Sequence, residues 1–225
     1  LAFDFDWLNQ RVFYNRRART QSYFQNTDDL MAGEVPTPQE LKIAQRLDQT
    51  PALLAALRDP LVHPAETGST AAGLRKNLVQ AQRLLGEAGW TYESGALRNA
   101  AGEAFVITML IPDRSSEIVL APYARNLARL GIELRYRLSD ASLIKKRLDD
   151  FDFDMAINIL GGSTSPGNEL YDDFGSASAD QKGSQNLSGI KDKVIDQLIE
   201  EIVNSPDRAA IAAGARLLDR YLRHQ

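Results

Sequence analysis

Cysteine is absent from the 225 residues, which excludes disulfides and thiolate metal sites. Histidine is nearly absent: His63 lies in a proline-rich segment and His224 is the penultimate residue. A Ser/His/Asp triad or a histidine metal site therefore lacks its parts. No phosphate loop with Gly-Lys-Ser/Thr and no G-x-G-x-x-G fingerprint is present. We expect no cofactor and no metal, and the sequence favours a protein that is not an enzyme.

An excess of basic residues is also missing. The formal charge is −4, so electrostatics gives no reason to expect nucleic acid as a partner. The longest apolar run, residues 105–112, is far shorter than the ~20 residues of a membrane-spanning helix, and we expect no part of the chain to span a membrane. Hydrophobic residues make up 44% of the chain, enough for a sizeable core.

From residue 70 onward, helical and strand patterns alternate. The patterns predict a helix from Thr70 that Gly89 terminates, a hairpin of 96–98 with 103–111, a helix over 116–130, a strand over 132–138, a helix over 142–148 and a strand over 151–160. A short helix over 168–174 and two closing helices, 190–203 and 207–222, follow. Parallel neighbouring strands must be joined by crossover connections, which are usually helices. Because strands and helices alternate here with short connections, we predict an α/β fold with a mainly parallel sheet flanked by helices.

The first 69 residues carry a different pattern. We predict a helix within residues 1–14 and a short helix that Thr37 caps, with Pro38 at its first position and Glu40 three residues after the cap. Several prolines predict a surface connection with little regular structure over 51–69. Residues 1–69 are thus expected to form a helical and loop arm that packs on an α/β ligand-binding lobe, residues 70–225, as one structural unit. The chain starts without Met and stops within an amphipathic pattern, and we expect a fragment of a larger protein.

Ligands of open parallel sheets bind beyond the carboxyl ends of the strands, and this rule selects residues 112–116 and 161–169. Arg114, at a helix amino terminus, could hold a carboxylate; alternatively it is solvated and pairs with Asp113 or Glu117. The glycine-rich loop could present backbone donors and hydroxyls to a polar ligand, or it is a tight turn that needs glycine's backbone freedom. The candidate ligand-binding residues are Arg114, Leu160, Gly161, Gly162, Ser163, Thr164, Ser165, Asn168 and Glu169.

Two enzyme-like or metal-like patterns are incomplete. The run GGSTS resembles a nucleophile elbow, but Ser165 stands where the second glycine belongs and Pro166 disrupts the expected helix. The aspartates at 150, 152 and 154 resemble the start of a calcium loop, but Met155 stands at the required glycine, and alternation makes them the outer row of a strand. A small serine hydrolase using Ser163 and a structural or adaptor lobe remain the alternatives.

The stretch FDFDMAINILGGSTSPGNELYDDFGS, followed by GSQNLSGIKDKVIDQLIEEIV, resembles the carboxyl-terminal part of family 5 extracellular solute-binding proteins. The opening AFDFDWLNQRVFY with RTQSYFQN resembles the oligopeptide and microcin-C-type branch of this family. The resemblance covers nearly the whole chain and corresponds to roughly the second half of a family member, its carboxyl-terminal lobe. It implies a type II periplasmic-binding-protein-like lobe.

The resemblance also implies a function. Family members are periplasmic, close two lobes on a peptide or peptide-like ligand and hand it to the membrane permease subunits of an ABC importer, with no chemistry of their own. Peptide binders often carry a Trp and an acidic residue after the equivalent of Leu160; this chain has neither there, although Glu169 lies nearby. Dipeptide-binding members carry an Arg for the ligand carboxylate after the strand that matches residues 106–111, and Arg114 matches that position approximately.

Overall fold

The computed structural model describes residues 1–225, and the chain divides into two compact units built from segments distant in sequence. Unit 1 comprises Leu1–Arg19, Pro64–Leu148 and Asp152–Ile157; unit 2 comprises Thr20–His63, Asp149–Phe151 and Asn158–Gln225. The residues of the predicted arm are thus divided between the units. None of the helices has both the length and the apolar character needed to cross a membrane.

The helices are α1 (Phe5–Arg11), α2 (Pro38–Ala44), α3 (Pro51–Arg58), α4 (Ala71–Glu87), α5 (Glu117–Ala128), α6 (Ala141–Asp149), α7 (Glu169–Phe174), α8 (Lys193–Val203) and α9 (Arg208–His224). The strands are β1 (Thr91–Glu93), β2 (Ala96–Arg98), β3 (Val106–Ile111) and β4 (Glu133–Leu138). Short 3-10 helices occupy Arg114–Ser116 and Ser176–Asp180.

Unit 1 contains a parallel strand pair. β3 pairs with β4 along its whole length, from Val106 opposite Glu133 to Ile111 opposite Leu138, and α5 lies between them in the chain. The predicted parallel arrangement is confirmed. Gly131, before β4, has φ +81°, and a Cβ there would lie 2.6 Å from the backbone nitrogen of Leu97. Only glycine fits this close approach without displacing a backbone atom.

The predicted hairpin of residues 96–98 with 103–111 is largely wrong. β2 pairs with β1 in an antiparallel hairpin, while its contact with the later segment is reduced to one bridge between Arg98 and Ala104. The turn between β1 and β2 contains Ser94 and Gly95, both with positive φ, which gives a two-residue hairpin turn. β2 therefore pairs with β1, which is joined to it by two residues, rather than with the segment beyond the longer predicted loop over residues 99–102.

The predicted strand over residues 151–160 is also wrong, because the segment is irregular. Phe151 has φ +54°, which is incompatible with an extended strand at that residue. The backbone N–H of Thr108 in β3 donates to the Asp154 carboxylate (2.8 Å), so a side chain occupies one donor that a neighbouring strand would use. Met155 still packs against the buried side chains of Met109 and Ile111 and their neighbours. The alternation of apolar and polar residues over 151–160 does not show that the Asp154 side chain, rather than a strand backbone, bonds to Thr108 of β3.

Helices carry the core of unit 2. α8 buries one face, whereas α9 is buried on all sides over most of residues 212–222. Leu198, Ile199, Leu217 and Leu218 lie in this core, and none of them is exposed to solvent. α2 has the predicted capping box: the Thr37 hydroxyl accepts the backbone N–H of Glu40, whose carboxylate accepts the N–H of Thr37.

The prediction of little regular structure over residues 51–69 is wrong at α3. The Thr50 hydroxyl accepts the backbone N–H of Leu53 (3.1 Å), and Pro51 stands at the first helical position, where its missing N–H costs nothing. Leu53 and Ala56 are buried in the core of unit 2. Pro51 therefore starts this helix rather than breaking it.

Charged side chains also lie inside unit 2. Asp219 is fully buried and accepts the backbone N–H groups of Tyr23 (2.9 Å) and Ala32 (3.0 Å). Arg220 is 1% exposed and lies 3.5 Å from the fully buried carboxylate of Glu40. The Asp219 contacts join the irregular segment before α2 to α9, across 196 and 187 residues, and the Arg220–Glu40 contact joins α2 itself to α9, across 180 residues.

Candidate ligand-binding segments

The first candidate segment follows β3 at its carboxyl end. Asp113 caps the 3-10 turn that leads into α5: its carboxylate accepts the backbone N–H groups of Ser115 (2.7 Å) and Ser116 (3.3 Å) and the Ser115 hydroxyl. The bond from the Ser115 hydroxyl and then those from the backbone lower the pKa of Asp113. The turn is thus held by a carboxylate that stays ionised near neutral pH.

Arg114 extends from this turn into solvent. Its side chain forms no ion pair with Asp113, which is engaged in capping, or with Glu117, so the alternative in which it pairs locally is not the arrangement in the structure. Its planar guanidinium keeps its N–H donors available for an oxygen anion. Sequence reasoning missed the capping role of Asp113, although an Asp two residues before a serine pair is a recognisable capping signal.

Three glycines lie in the second candidate segment, residues 161–169. Gly161, Gly162 and Gly167 all have negative φ, so the loop does not need glycine for a left-handed turn. A Cβ at Gly161 would meet nothing within 4 Å. Gly161 and Gly162 are exposed, and their backbone can be approached more closely than that of a residue with a side chain.

The middle of the loop is anchored. The backbone N–H of Ser165 donates to the Ser163 hydroxyl (3.1 Å), and Pro166 is buried. Arg208, at the first position of α9, donates to the Thr164 carbonyl and forms a two-point ion pair with Asp29, with both N–O distances 2.8 Å.

This clamp was not predicted from the sequence. Arg208 lies 44 residues from Thr164 and 179 residues from Asp29, so no local pattern connects them.

The end of the loop is acidic. The Glu169 carboxylate accepts the backbone N–H of Gly167 (3.1 Å), and Asn168 beside it is exposed without capping α7. Burial, followed by the charges of Asp172 and Glu169, raises the pKa of Asp173. The start of the loop is apolar, since Leu160 is 41% exposed. An apolar entrance, open backbone and an acidic end therefore follow one another along this segment.

The two candidate segments belong to different units: Arg114 lies in unit 1 and residues 161–169 lie in unit 2. Each segment is therefore described by itself.

The serine-hydrolase alternative gains no support from the histidines. His63 lies 3.0 Å from the Glu34 carboxylate and 3.3 Å from an Arg223 nitrogen, and His224 lies 3.7 Å from the Asp59 carboxylate. The Ser163 hydroxyl instead accepts the Ser165 N–H. A serine nucleophile needs an adjacent base, and neither histidine bonds to Ser163.

The chain matches the model of the bacterial extracellular solute-binding proteins, family 5 Middle, over residues 1–182. The chain is 38% identical to the probable peptide-binding protein YejA of Agrobacterium fabrum, over 98% of the chain and 36% of that protein. It is 32% identical to the peptidoglycan-binding protein YepA of the same organism, over 98% of the chain and 35% of that protein. The chain thus spans about a third of the length of the curated relatives it matches.

Solved structures share the fold. The oligopeptide-binding protein AppA of Bacillus subtilis, in complex with a nonapeptide, is 20% identical, with a TM-score of 0.56 over 89% of this chain and 40% of AppA. A periplasmic oligopeptide-binding protein of Thermotoga maritima, bound to mannohexaose, is 17% identical, with a TM-score of 0.56 over 82% of this chain and 39% of that protein. The predicted periplasmic-binding-protein-like α/β lobe is confirmed.

Proposed function

The chain belongs to family 5 of the bacterial extracellular solute-binding proteins, as its sequence resemblance predicts, and from this premise we propose that it forms one lobe of the periplasmic solute-binding component of an ABC importer. The whole protein captures a peptide or peptide-like solute between two lobes and delivers it unaltered to the permease. Closure on the ligand is the state that the permease recognises, because a ligand that contacts both lobes favours the closed state.

The observation that carries this proposal is the exposed Arg114 guanidinium at the carboxyl end of β3. Asp113 fixes the turn and leaves Arg114 without a carboxylate of its own. A guanidinium binds a carboxylate through two parallel hydrogen bonds, which are stronger than bonds between neutral groups. We therefore assign Arg114 to the carboxylate of the solute.

The loop of residues 161–169 is the second segment that we propose for contacts with the solute. Gly161 and Gly162 offer exposed backbone to a ligand's amides, and Leu160 offers apolar surface. Glu169 is exposed and stands beside Asp172 and Asp173, so the end of the loop attracts a cation such as a peptide α-amine.

Two ligand sources fit this chemistry. One relative is named a probable peptide-binding protein and another a peptidoglycan-binding protein, and the peptide part of peptidoglycan also ends in a carboxylate. We place peptides first, because a free peptide carries an α-amine, the kind of cation that the acidic end of the 161–169 loop attracts. Cell-wall peptides are the second candidate.

Native mass spectrometry of the intact protein purified from its source tests the proposal, with fragmentation to identify any retained solute. We expect a bound peptide or cell-wall peptide whose mass stays constant during incubation. Arg114→Gln is expected to release it, whereas Arg75→Gln, which removes an exposed α4 charge, retains it. Conversion of the solute to a product, or a retained solute without a carboxylate, would contradict the proposal.

A further inference from the structure

A concentrated positive charge occurs in a part of the chain that neither candidate segment includes. Residues 7–27 contain four arginines and no lysine, aspartate or glutamate, although the chain as a whole has a formal charge of −4. Arg11 ends α1, and Arg16 and Arg17 follow in the turn after it; all three are exposed and none forms an ion pair. We call residues 11–17 the arginine turn. The ligand-binding proposal does not use it.

The backbone of the arginine turn is held in place. The Asn9 side chain donates to the Arg17 carbonyl (2.7 Å) and accepts the Arg17 N–H (3.1 Å), and the Asn15 N–H donates to the Asn9 carbonyl (2.8 Å). Tyr14 and Asn15 have φ +52° and +57°, so the turn uses two left-handed residues in succession. Non-glycine residues rarely adopt this conformation, and here the Asn9 clamp stabilises it.

Arginine and tyrosine share the tip of the turn. Tyr14 is 76% exposed and stands between Arg11 and Arg16 in sequence. The Arg17 guanidinium lies 5.6 Å from the centre of the Phe13 ring, a contact that orients it without using its N–H donors. Arg19, in contrast, is half-buried and lies over Phe5, so it belongs to the interior side of the segment.

We propose that the arginine turn is a docking surface for an anionic phospholipid bilayer. Basic side chains near an anionic leaflet are attracted to it, and tyrosine is enriched at the level of the headgroups because its ring is apolar and its hydroxyl polar. A free anion would use the guanidiniums but not the exposed Tyr14 ring. The surface would keep the protein near a membrane through weak, reversible, salt-dependent contacts.

Co-sedimentation of the full-length protein with vesicles tests this proposal. The vesicles are phosphatidylcholine alone or mixed with phosphatidylglycerol, at roughly 0.01 M and roughly 1 M salt, where the Debye length is about 30 Å and about 3 Å. We expect partition only onto the anionic vesicles at low salt. Each arginine contributes about fivefold, so the triple variant Arg11→Gln, Arg16→Gln, Arg17→Gln lowers the partition coefficient by roughly a hundredfold.

A matched control removes three charges elsewhere in unit 1, as Arg75→Gln, Lys76→Gln and Lys146→Gln, from exposed positions on helices. The control is expected to keep at least a tenth of the wild-type partition coefficient. Tyr14→Ser is expected to weaken binding and to leave its salt dependence unchanged. The single variant Arg16→Gln, expected to lose about fivefold, provides a test should the triple variant fold poorly.

Several results would overturn the proposal. The control variant could lose as much binding as the arginine variant, or the arginine variant could bind like the wild type. Inorganic phosphate could displace the protein far better than chloride at equal ionic strength, which would indicate a small-anion site. Binding to purified cell-wall sacculi but not to vesicles would assign the turn to a different polymer.

Discussion

The core of unit 2 and the candidate ligand-binding segments use the same residue types in opposite ways. In the core, Arg220 is 1% exposed beside the buried Glu40. In the segments, Arg114 and Glu169 are exposed, and neither has an oppositely charged side chain as a partner. A buried charge that has its partners fixes one arrangement of the chain, whereas an exposed charge without a partner is available to a ligand. Burial therefore separates the arginines that hold this fold from those that can recognise a solute.

The largest expected effect lies in the core. Asp219→Ala leaves the N–H groups of Tyr23 and Ala32 without their acceptor and removes a fully buried carboxylate. We expect the free energy of unfolding to fall by about 3–5 kcal/mol, measured by urea denaturation. The matched control is Arg46→Gln, which breaks a surface pair with Glu201 and should cost about 1 kcal/mol or less. Equal effects of the two changes would remove the distinction between buried and exposed charges.

The second prediction compares the loss of stability caused by alanine at two glycine positions. Gly131→Ala places a Cβ 2.6 Å from the Leu97 nitrogen at a residue with positive φ, and we expect a loss of about 1–3 kcal/mol in the free energy of unfolding. Gly161→Ala meets nothing within 4 Å and should change stability by about 0.5 kcal/mol or less. If Gly161 serves ligand approach, its substitution lowers affinity for the retained solute. A large loss of stability from Gly161→Ala would make that glycine structural instead.

The third prediction concerns the contribution of Tyr221 to the free energy of unfolding, which changes only in alkaline solution. Burial, together with the hydrogen bond that its hydroxyl donates to Asp192, raises the pKa of Tyr221 to about 12. The neutral form is favoured in the folded state, so this stabilisation is complete below pH ~10 and is lost as the pH rises from about 10 to about 12. Tyr221→Phe should reduce the dependence of the free energy of unfolding on pH between about 10 and about 12. Tyr14→Phe, at an exposed position, should leave that dependence unchanged. An unchanged slope in Tyr221→Phe would contradict the assignment.

Local signals in the sequence were sufficient for much of the fold. The Thr37 capping box is confirmed, Gly89 has φ +86° after α4, and the parallel pairing of β3 with β4 follows from the helix between them. These features depend on residues a few positions apart, or on a single crossover.

The wrong strand prediction and the unpredicted loop clamp have a common physical cause. The irregular path of residues 151–160 depends on the bond from Thr108 to Asp154, 46 residues apart, and the loop clamp depends on Arg208 and Asp29, 179 residues apart. Such pairings are selected by tertiary packing, which periodicity does not encode. At the candidate site, the sequence indicated Arg114 and left open whether it pairs with Asp113 or Glu117, but it was not used to recognise Asp113 as a cap.

Calorimetry on the intact protein tests the central claim most directly, by comparing the retained peptide with the same peptide amidated at its carboxyl terminus. If Arg114 binds the carboxylate, amidation should weaken binding to the wild type by roughly 10–100-fold and leave binding to Arg114→Gln nearly unchanged. If amidation weakens binding to both proteins equally, the carboxylate is recognised elsewhere and the assignment of Arg114 is wrong.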